Sequence, residues 1–246
     1  MGRDVADDAT GALRDAPPEL APIDPDAPVS GHVVPRAAAV PASAAPEHDW
    51  SAARDNVYPL LRAAGTTGPG LDDPPDPTRV GLQAHAQPVV GPGPAGLVLS
   101  FALSATGFDV LVNPDHMLSW GIEGRELAET AIANLARWSA TAPWSDETSG
   151  ERHLLSSSTG HGHDAARILL PDVRTHLRER VGDGGHRILI GLPERHLLLA
   201  GALAADDAGF AELFGQFVAE QWEGADEQLE RRLFELRGDD LVEFVP

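Results

Sequence analysis

Two short stretches of this 246-residue chain hold the side chains best suited to chemistry. The first is His161-Gly162-His163-Asp164, two imidazoles and a carboxylate, the donor types that hold zinc or a catalytic iron. Their i, i+2 spacing on a glycine-containing loop is not the helical His-Glu-x-x-His arrangement, and His116, His153 and His176 form no matching second cluster. Asp164 also has a sufficient structural role as the N-cap of the helix expected after it. The preferred reading is a capped surface loop with no metal, and His161, His163 and Asp164 are the alternative ligand set. The second stretch is Glu194-Arg195-His196, which follows Pro193 between two apolar runs. Arg195 is the candidate ligand-binding residue, suited to a carboxylate or another anion. Glu194 and His196 could exchange protons, which makes the three the candidate catalytic groups. The competing reading places Glu194 and Arg195 in ion pairs that fix a turn, with His196 packed at a strand start. It is preferred, because isolated charged turns are usually just solvated turns.

Other chemistry is less well supported. Ser156-Ser157-Ser158-Thr159-Gly160 precedes His161, but a catalytic serine needs a strained elbow, an oriented base and an oxyanion hole, and no Gly-x-Ser-x-Gly occurs. Gly182-Asp183-Gly184-Gly185 lacks the Lys-Ser/Thr of a phosphate loop and leads into a strand, so it reads as a helix-to-strand turn. No cofactor motif is present, and no cofactor is expected.

Composition narrows the class. The net charge is −20, which argues against general nucleic-acid binding, since a phosphate backbone needs a basic face. There is no cysteine, hence no disulfide, thiolate metal site or cysteine nucleophile. All eighteen basic residues are arginine, a pattern that GC-rich coding produces and that salt adaptation would also favour. No apolar run is long enough to span a membrane, and the acidic Met1-Gly2-Arg3-Asp4-Val5-Ala6-Asp7-Asp8 start lacks the apolar region of a signal peptide. A soluble, cytoplasmic location is expected. Residues 201–246 hold 12 acids against 3 arginines, while 161–200 hold 5 acids against 6 arginines. The acidic C-terminal stretch could serve a basic partner, although a solvated helix face is the preferred reading.

These groups must be positioned by an ordered scaffold. Residues 1–48, rich in Ala, Pro and Asp, bury too little surface to offset ordering entropy and are expected to be a disordered arm. Residues 49–78 are expected to hold a short amphipathic helix marked by Trp50, Val57, Leu60 and Leu61, interrupted or ended around Pro59, then a linker. From Val80 a period of two (Val80, Leu82, Ala84, Ala86) predicts a strand, followed by strands at 97–103 and 108–112 in an antiparallel meander. Asn113 and Pro114 should open a short helix ending near Gly121, and 125–139 is a clear amphipathic helix. A strand near His153, helices over 164–170 and 171–180, and the hairpin around Pro193 follow. A helix capped by Asp206 or Asp207 and running to Trp222 is expected next, then a closing hairpin around 237–240. Strands and helices come in segregated runs, which predicts an α+β domain over 79–246, a meander and hairpins packed against several helices.

This order has a likeness. Val112-Asn113-Pro114-Asp115-His116-Met117-Leu118 leads into the 126–135 helix, then His163 to Arg167, then the strand ending Gly-Leu-Pro-Glu-Arg-His, then the Phe-rich helix and closing hairpin. Over roughly residues 95–245 the chain resembles the YtpQ-like bacterial family of unknown function. The turn in that family often reads Pro-x-Arg-Asp, so His196 departs from it. The resemblance implies a soluble intracellular domain with no established activity, substrate or cofactor. The expected function is a non-enzymatic interaction or regulatory module with an unknown protein partner. The alternative is a hydrolase-type enzyme or anion binder joining the Pro193 to His196 turn with the His161 to Asp164 loop. An enzyme or ligand site requires those two stretches to share a pocket. A partner module requires an exposed apolar patch, on the helix of residues 210–222 or at the edge of the meander.

Overall fold

The apolar run at 97–103 becomes the long strand β3 (Val98–Ala105), about which a small antiparallel sheet is built. Strand β1 (Val57–Arg62) lies along one edge of it, from Val57 opposite Leu103 to Arg62 opposite Val98. Strands β2 (Gly91–Pro92) and β4 (Phe108–Leu111) share the other edge. This computed structural model describes residues 45–82, 86–105, 108–150, 152–182, 186–205 and 207–245, which fall within one unit, Val40–Pro246. Most of the arm expected at 1–48 therefore lies outside the described residues.

Two expectations for this region need correction. The helix expected over 50–61 is confined to α1 (Trp50–Ala53), capped by the Asp49 carboxylate. Pro59 cannot continue a helix, whereas Val57 and Tyr58 favour a pleated strand, and Pro59 is tolerated because β1 is an edge strand. The strand expected from Val80 is not formed over its described part. Asp76 caps a 3₁₀ turn at Pro77–Arg79, and Val80 and Leu82 follow it in a turn, 58% and 53% exposed. Local turn chemistry prevails there over alternation. Residues 83–85 lie outside the described residues.

Helix α2 (Pro114–Trp120) opens with Asn113 and His116 in a reciprocal capping box and closes at Gly121 in the left-handed region. Helix α3 (Gly124–Ser139) buries Leu127, Ala131 and Leu135. Its Asn134 amide donates to the carbonyls of Arg54 (2.8 Å) and Val57 (2.7 Å), anchoring the start of β1. The small core between this sheet and α2–α3 centres on Phe101, Leu103, Met117 and Leu127.

The larger sheet has six antiparallel strands in the order β10-β9-β7-β8-β6-β5. These are β5 (Ser145–Ser149), β6 (Arg152–Ser157), β7 (Arg187–Glu194), β8 (Leu197–Leu203), β9 (Phe234–Arg237) and β10 (Asp240–Glu243). Central β7 and β8 are buried on both faces, which is why they read as continuous apolar runs. Ile188, Ile190, Leu198, Ala200 and Ala202 face α4 (Pro171–Arg180), Leu135 of α3 and the 3₁₀ turn Ala165–Leu169. Leu189, Leu197, Leu199 and Leu203 face α5 (Ala208–Gly224) through Phe210, Phe214 and Val218. Gly191 lies beneath α5 at a point where a Cβ would overlap Val218, so the close approach of helix to sheet depends on it. Asp207 caps α5 at the Phe210 amide and receives the Arg152 guanidinium. The fold is thus α+β, and no helix among the described residues is long and apolar enough to cross a membrane.

At the β7–β9 junction Glu235 is almost fully buried, and hydrogen bonds from Arg187 and then Arg237 hold its carboxyl down at about 2. Its folded pKa lies below the unfolded value of 4.5. Its stabilising contribution is therefore present above that value and lost as pH falls toward 2. Replacing Glu235→Gln should remove the part of the acid denaturation curve that lies below pH 4.5, measurable by urea melts across that range.

Candidate functional site

Arg195 and His196 form the two-residue turn between β7 and β8. The structure brings this turn against the 161–164 loop. The Arg195 carbonyl accepts from the Ala165 amide (3.1 Å), and Gly162, at φ +79°, packs against the guanidinium of Arg195. A Cβ at Gly162 would overlap that guanidinium. Arg195 pairs tightly with Asp109 on β4, and Asp109 also accepts from Ser104 Oγ (2.8 Å). A second carboxylate, Glu227, stands off at 3.4 Å from Arg195 Nη1. Arg195 thus joins the larger sheet to the smaller one and is only 14% exposed.

The turn's other candidates are not gathered into this cluster. The Glu194 backbone continues the sheet opposite Leu197 and bridges to Gln228. Neither its carboxylate nor the half-buried His196 ring has a hydrogen-bond partner among the described residues.

Within the loop, Asp164 occupies the N-cap position of the 165–169 turn, but its side chain does not cap it. It is fully buried and turned back to accept from Ser157 Oγ (2.5 Å), the Thr159 amide (3.1 Å) and Thr159 Oγ1 (2.9 Å). A buried carboxylate requires several donors, and the Ser/Thr-rich loop supplies three where a single cap would supply one. Ser157, one of the hydroxyls next to His161 in sequence, is therefore tied into this bridge. His163 is buried between Tyr58, stacked at 4.1 Å, and the edge of Trp138 at 5.4 Å. His161 is exposed, 6.2 Å from Trp138. Among the described residues no group of three His, Asp or Glu side chains is arranged to hold a metal ion.

Burial pushes the His163 imidazole down to about 4, outweighing the attraction of Asp109, so the ring is neutral at neutral pH. The sign follows directly. The ring binds its proton less readily when folded, so it contributes stability above its unfolded value of 6.5 and loses it as pH falls from there through 4. The loss amounts to about 3 kcal/mol by the free-energy equivalent of the shift. Replacing His163→Phe, which keeps the stack on Tyr58, should flatten stability between pH 6.5 and 4 relative to wild type. Parallel slopes for the two proteins in chemical denaturation would contradict this.

Sequence reasoning assigned no role to Arg167, the largest fully buried side chain. Its Nε donates to Ser139 Oγ (3.0 Å), Nη1 to Ser157 Oγ (2.7 Å) and the Pro143 carbonyl, and Nη2 to the Ser139 and Ala142 carbonyls. The guanidinium lies 3.9 Å over Trp144. Burial lowers its pKa to about 10, so it stays charged, and Ser157 Oγ links it to the Asp164 carboxylate. The available signal was the Asp164 to Arg167 spacing inside an otherwise apolar segment.

Three concave features lie around this framework, one of them, about 610 Å³, beside Arg167, Ser139, Trp144 and His176. A cleft of about 460 Å³ is lined by charged Arg62, Asp109, Arg195, Asp226 and Glu227, with Leu61 and Leu111 among its apolar walls. A groove of about 360 Å³ runs between the β5–β6 hairpin and α5, with Phe210, Leu213, Phe214 and Phe217 along one wall. Phe210 and Phe214 are buried, but Leu213 is 53% and Phe217 38% exposed. No family model, curated protein or solved structure matches this chain.

Proposed function

We propose that this chain is a non-enzymatic interaction module of the YtpQ-like kind, holding a basic amphipathic helix of a protein partner in the groove along α5. The observation that carries this reading is the exposure of Leu213 and Phe217, one helical turn apart, on a helix that buries Phe210 and Phe214. Large apolar groups at i and i+4 above a groove are what an amphipathic helix recognises. Charge selects among occupants. Helix α5 carries Glu212, Glu220 and Glu223 with no basic residue, and on the opposite wall Glu147 stands with Arg152, whose charge is paired by Asp207. A second copy would oppose acid to acid. The chain's own residues 1–44, with seven acids against three arginines, would also be repelled.

The hydrolase alternative has less to draw on. Asp164 and Ser157 are saturated by each other and by Thr159 and Arg167, and burial makes His163 a poor base. The test is fluorescence anisotropy with a labelled leucine/lysine helical peptide and its leucine/glutamate counterpart. The lysine peptide should bind in a salt-sensitive manner, and Leu213→Ser with Phe217→Ser should weaken it at least about tenfold. The same pair should shift stability by about 1–3 kcal/mol, because Leu213 is half exposed and Phe217 is 38% exposed, and a thermal melt checks that the variant stays folded. Equal binding of both peptides, or no effect of the substitutions, would remove the groove from consideration.

A further inference from the structure

The charged cleft carries a separate inference, independent of the α5 groove, with which it shares no lining residue. Its most telling feature is how loosely Glu227 is held. One carboxylate oxygen, Oε2, lies 3.5 Å from Arg195 Nη1 and 3.7 Å from Arg62 Nη1, and the other lies 3.4 Å from Arg195 Nη1. Charge-assisted hydrogen bonds close at about 2.7–2.9 Å. Two guanidiniums thus converge on one carboxylate that fully engages neither. The contrast with the tight Arg195–Asp109 pair shows that the arginine is positioned by Asp109, by the Gly162 backbone and by its own carbonyl's bond to Ala165. Glu227 does no positioning, and its side chain is 46% exposed.

Asp226, lining the same cleft, has no ion-pair partner among the described residues. With Glu227 swung away, the cleft would present an unsatisfied guanidinium edge beside a free carboxylate. That pairing complements a small molecule bearing both charges. A dianion such as phosphate would face Asp109 and Asp226 at close quarters, whereas the ammonium of a zwitterion would be attracted by Asp226. The volume suits a ligand of amino-acid size.

We infer that the cleft between β1, β4 and residues 226–229 binds a free α-amino acid, its carboxylate between Arg62 and Arg195 and its ammonium toward Asp226, and that Glu227 is an internal occupant the ligand displaces. An internal competitor lowers apparent affinity by the fraction of time it holds the site, so removing it should tighten binding.

The test uses the full chain and the twenty L-amino acids, titrated singly to about 10 mM by calorimetry and amide chemical shifts. At least one should bind Glu227→Gln roughly tenfold more tightly than wild type. That binding should be lost in Arg62→Gln combined with Glu227→Gln, whose thermal melt checks the fold. It should also fall at least about tenfold for the N-acetylated form, which keeps the carboxylate and loses the ammonium. Absence of binding to Glu227→Gln would overturn the inference. So would equal affinity in wild type, indifference to Arg62, or undiminished binding of the N-acetylated form.

Discussion

Replacing Arg167→Ala is expected to destabilise the protein by about 3–5 kcal/mol, the range for removing one member of a buried, fully hydrogen-bonded charged network. The guanidinium satisfies Ser139, Ser157 and three carbonyls at once and covers Trp144. Its loss leaves those acceptors without donors and removes the positive charge that Ser157 Oγ links to Asp164. For a domain of this size the shift in Tm should be about 10 °C. A variant that keeps the bulk, Arg167→Met, should recover the packing portion but not the hydrogen bonds. Adding Asp164→Asn to it should then cost less than Asp164→Asn costs in the wild-type background, because the two charges no longer need each other. Additive effects across that cycle would mean that Ser157 does not couple them. Thermal melts of four proteins decide the matter.

The second large effect is expected at Gly162. Its φ of +79° is unfavourable for any residue with a Cβ, and the added carbon would overlap the Arg195 guanidinium. Strain of about 1–2 kcal/mol comes from the backbone alone. Displacing an arginine held by Asp109 adds a further cost, since it breaks an ion pair between the two sheets. Gly162→Ala should therefore lower stability by about 2–4 kcal/mol in total. It should also perturb the amide signals of Ser104, Asp109 and Glu227, residues far away in sequence. A control at Gly160, which also has positive φ but open space at its Cβ, should show the backbone strain without those remote shifts. If both glycines behave alike, the 161–164 loop does not brace Arg195.

Much of the scaffold was legible because local signals and burial agreed. The β7–β8 hairpin could be read from two apolar runs around a charged turn. The α2 boundaries could be read from Asn113, Pro114 and Gly121, and the start of α5 from Asp207. Strand β5 escaped notice because it is a wholly exposed, polar edge strand with no hydrophobic period, and its side chains guard the sheet edge. Strand β1 was misread because its apolar positions also fit a helical face, and only pairing with the distant β3 decides between them.

The site was legible in part. Arg195 stood out by isolation, and the 161–164 loop packs against it, but no residue of that loop lines the cleft beside Arg195, so the two stretches do not share that pocket. The partners that determine its behaviour, Asp109, Arg62 and Glu227, come from three other segments, and nothing in their local sequence marks them. Asp164 was assigned to capping because cap positions are recognisable in sequence, whereas a turn back toward Ser157 depends on burial. Arg167 shows the same limit more strongly, since an arginine beside alanines reads as surface until the walls around it are known.

The central claim is that the face of α5 at Leu213 and Phe217 receives a basic amphipathic helix. Amide chemical-shift mapping of the full chain, titrated with the leucine/lysine peptide, tests it most directly. The account predicts saturable shifts confined to residues 147–154 and 210–217, abolished by Leu213→Ser with Phe217→Ser. Shifts centred on the acidic closing hairpin, or spread over every acidic surface and unaffected by those substitutions, would show attraction by charge alone and contradict it.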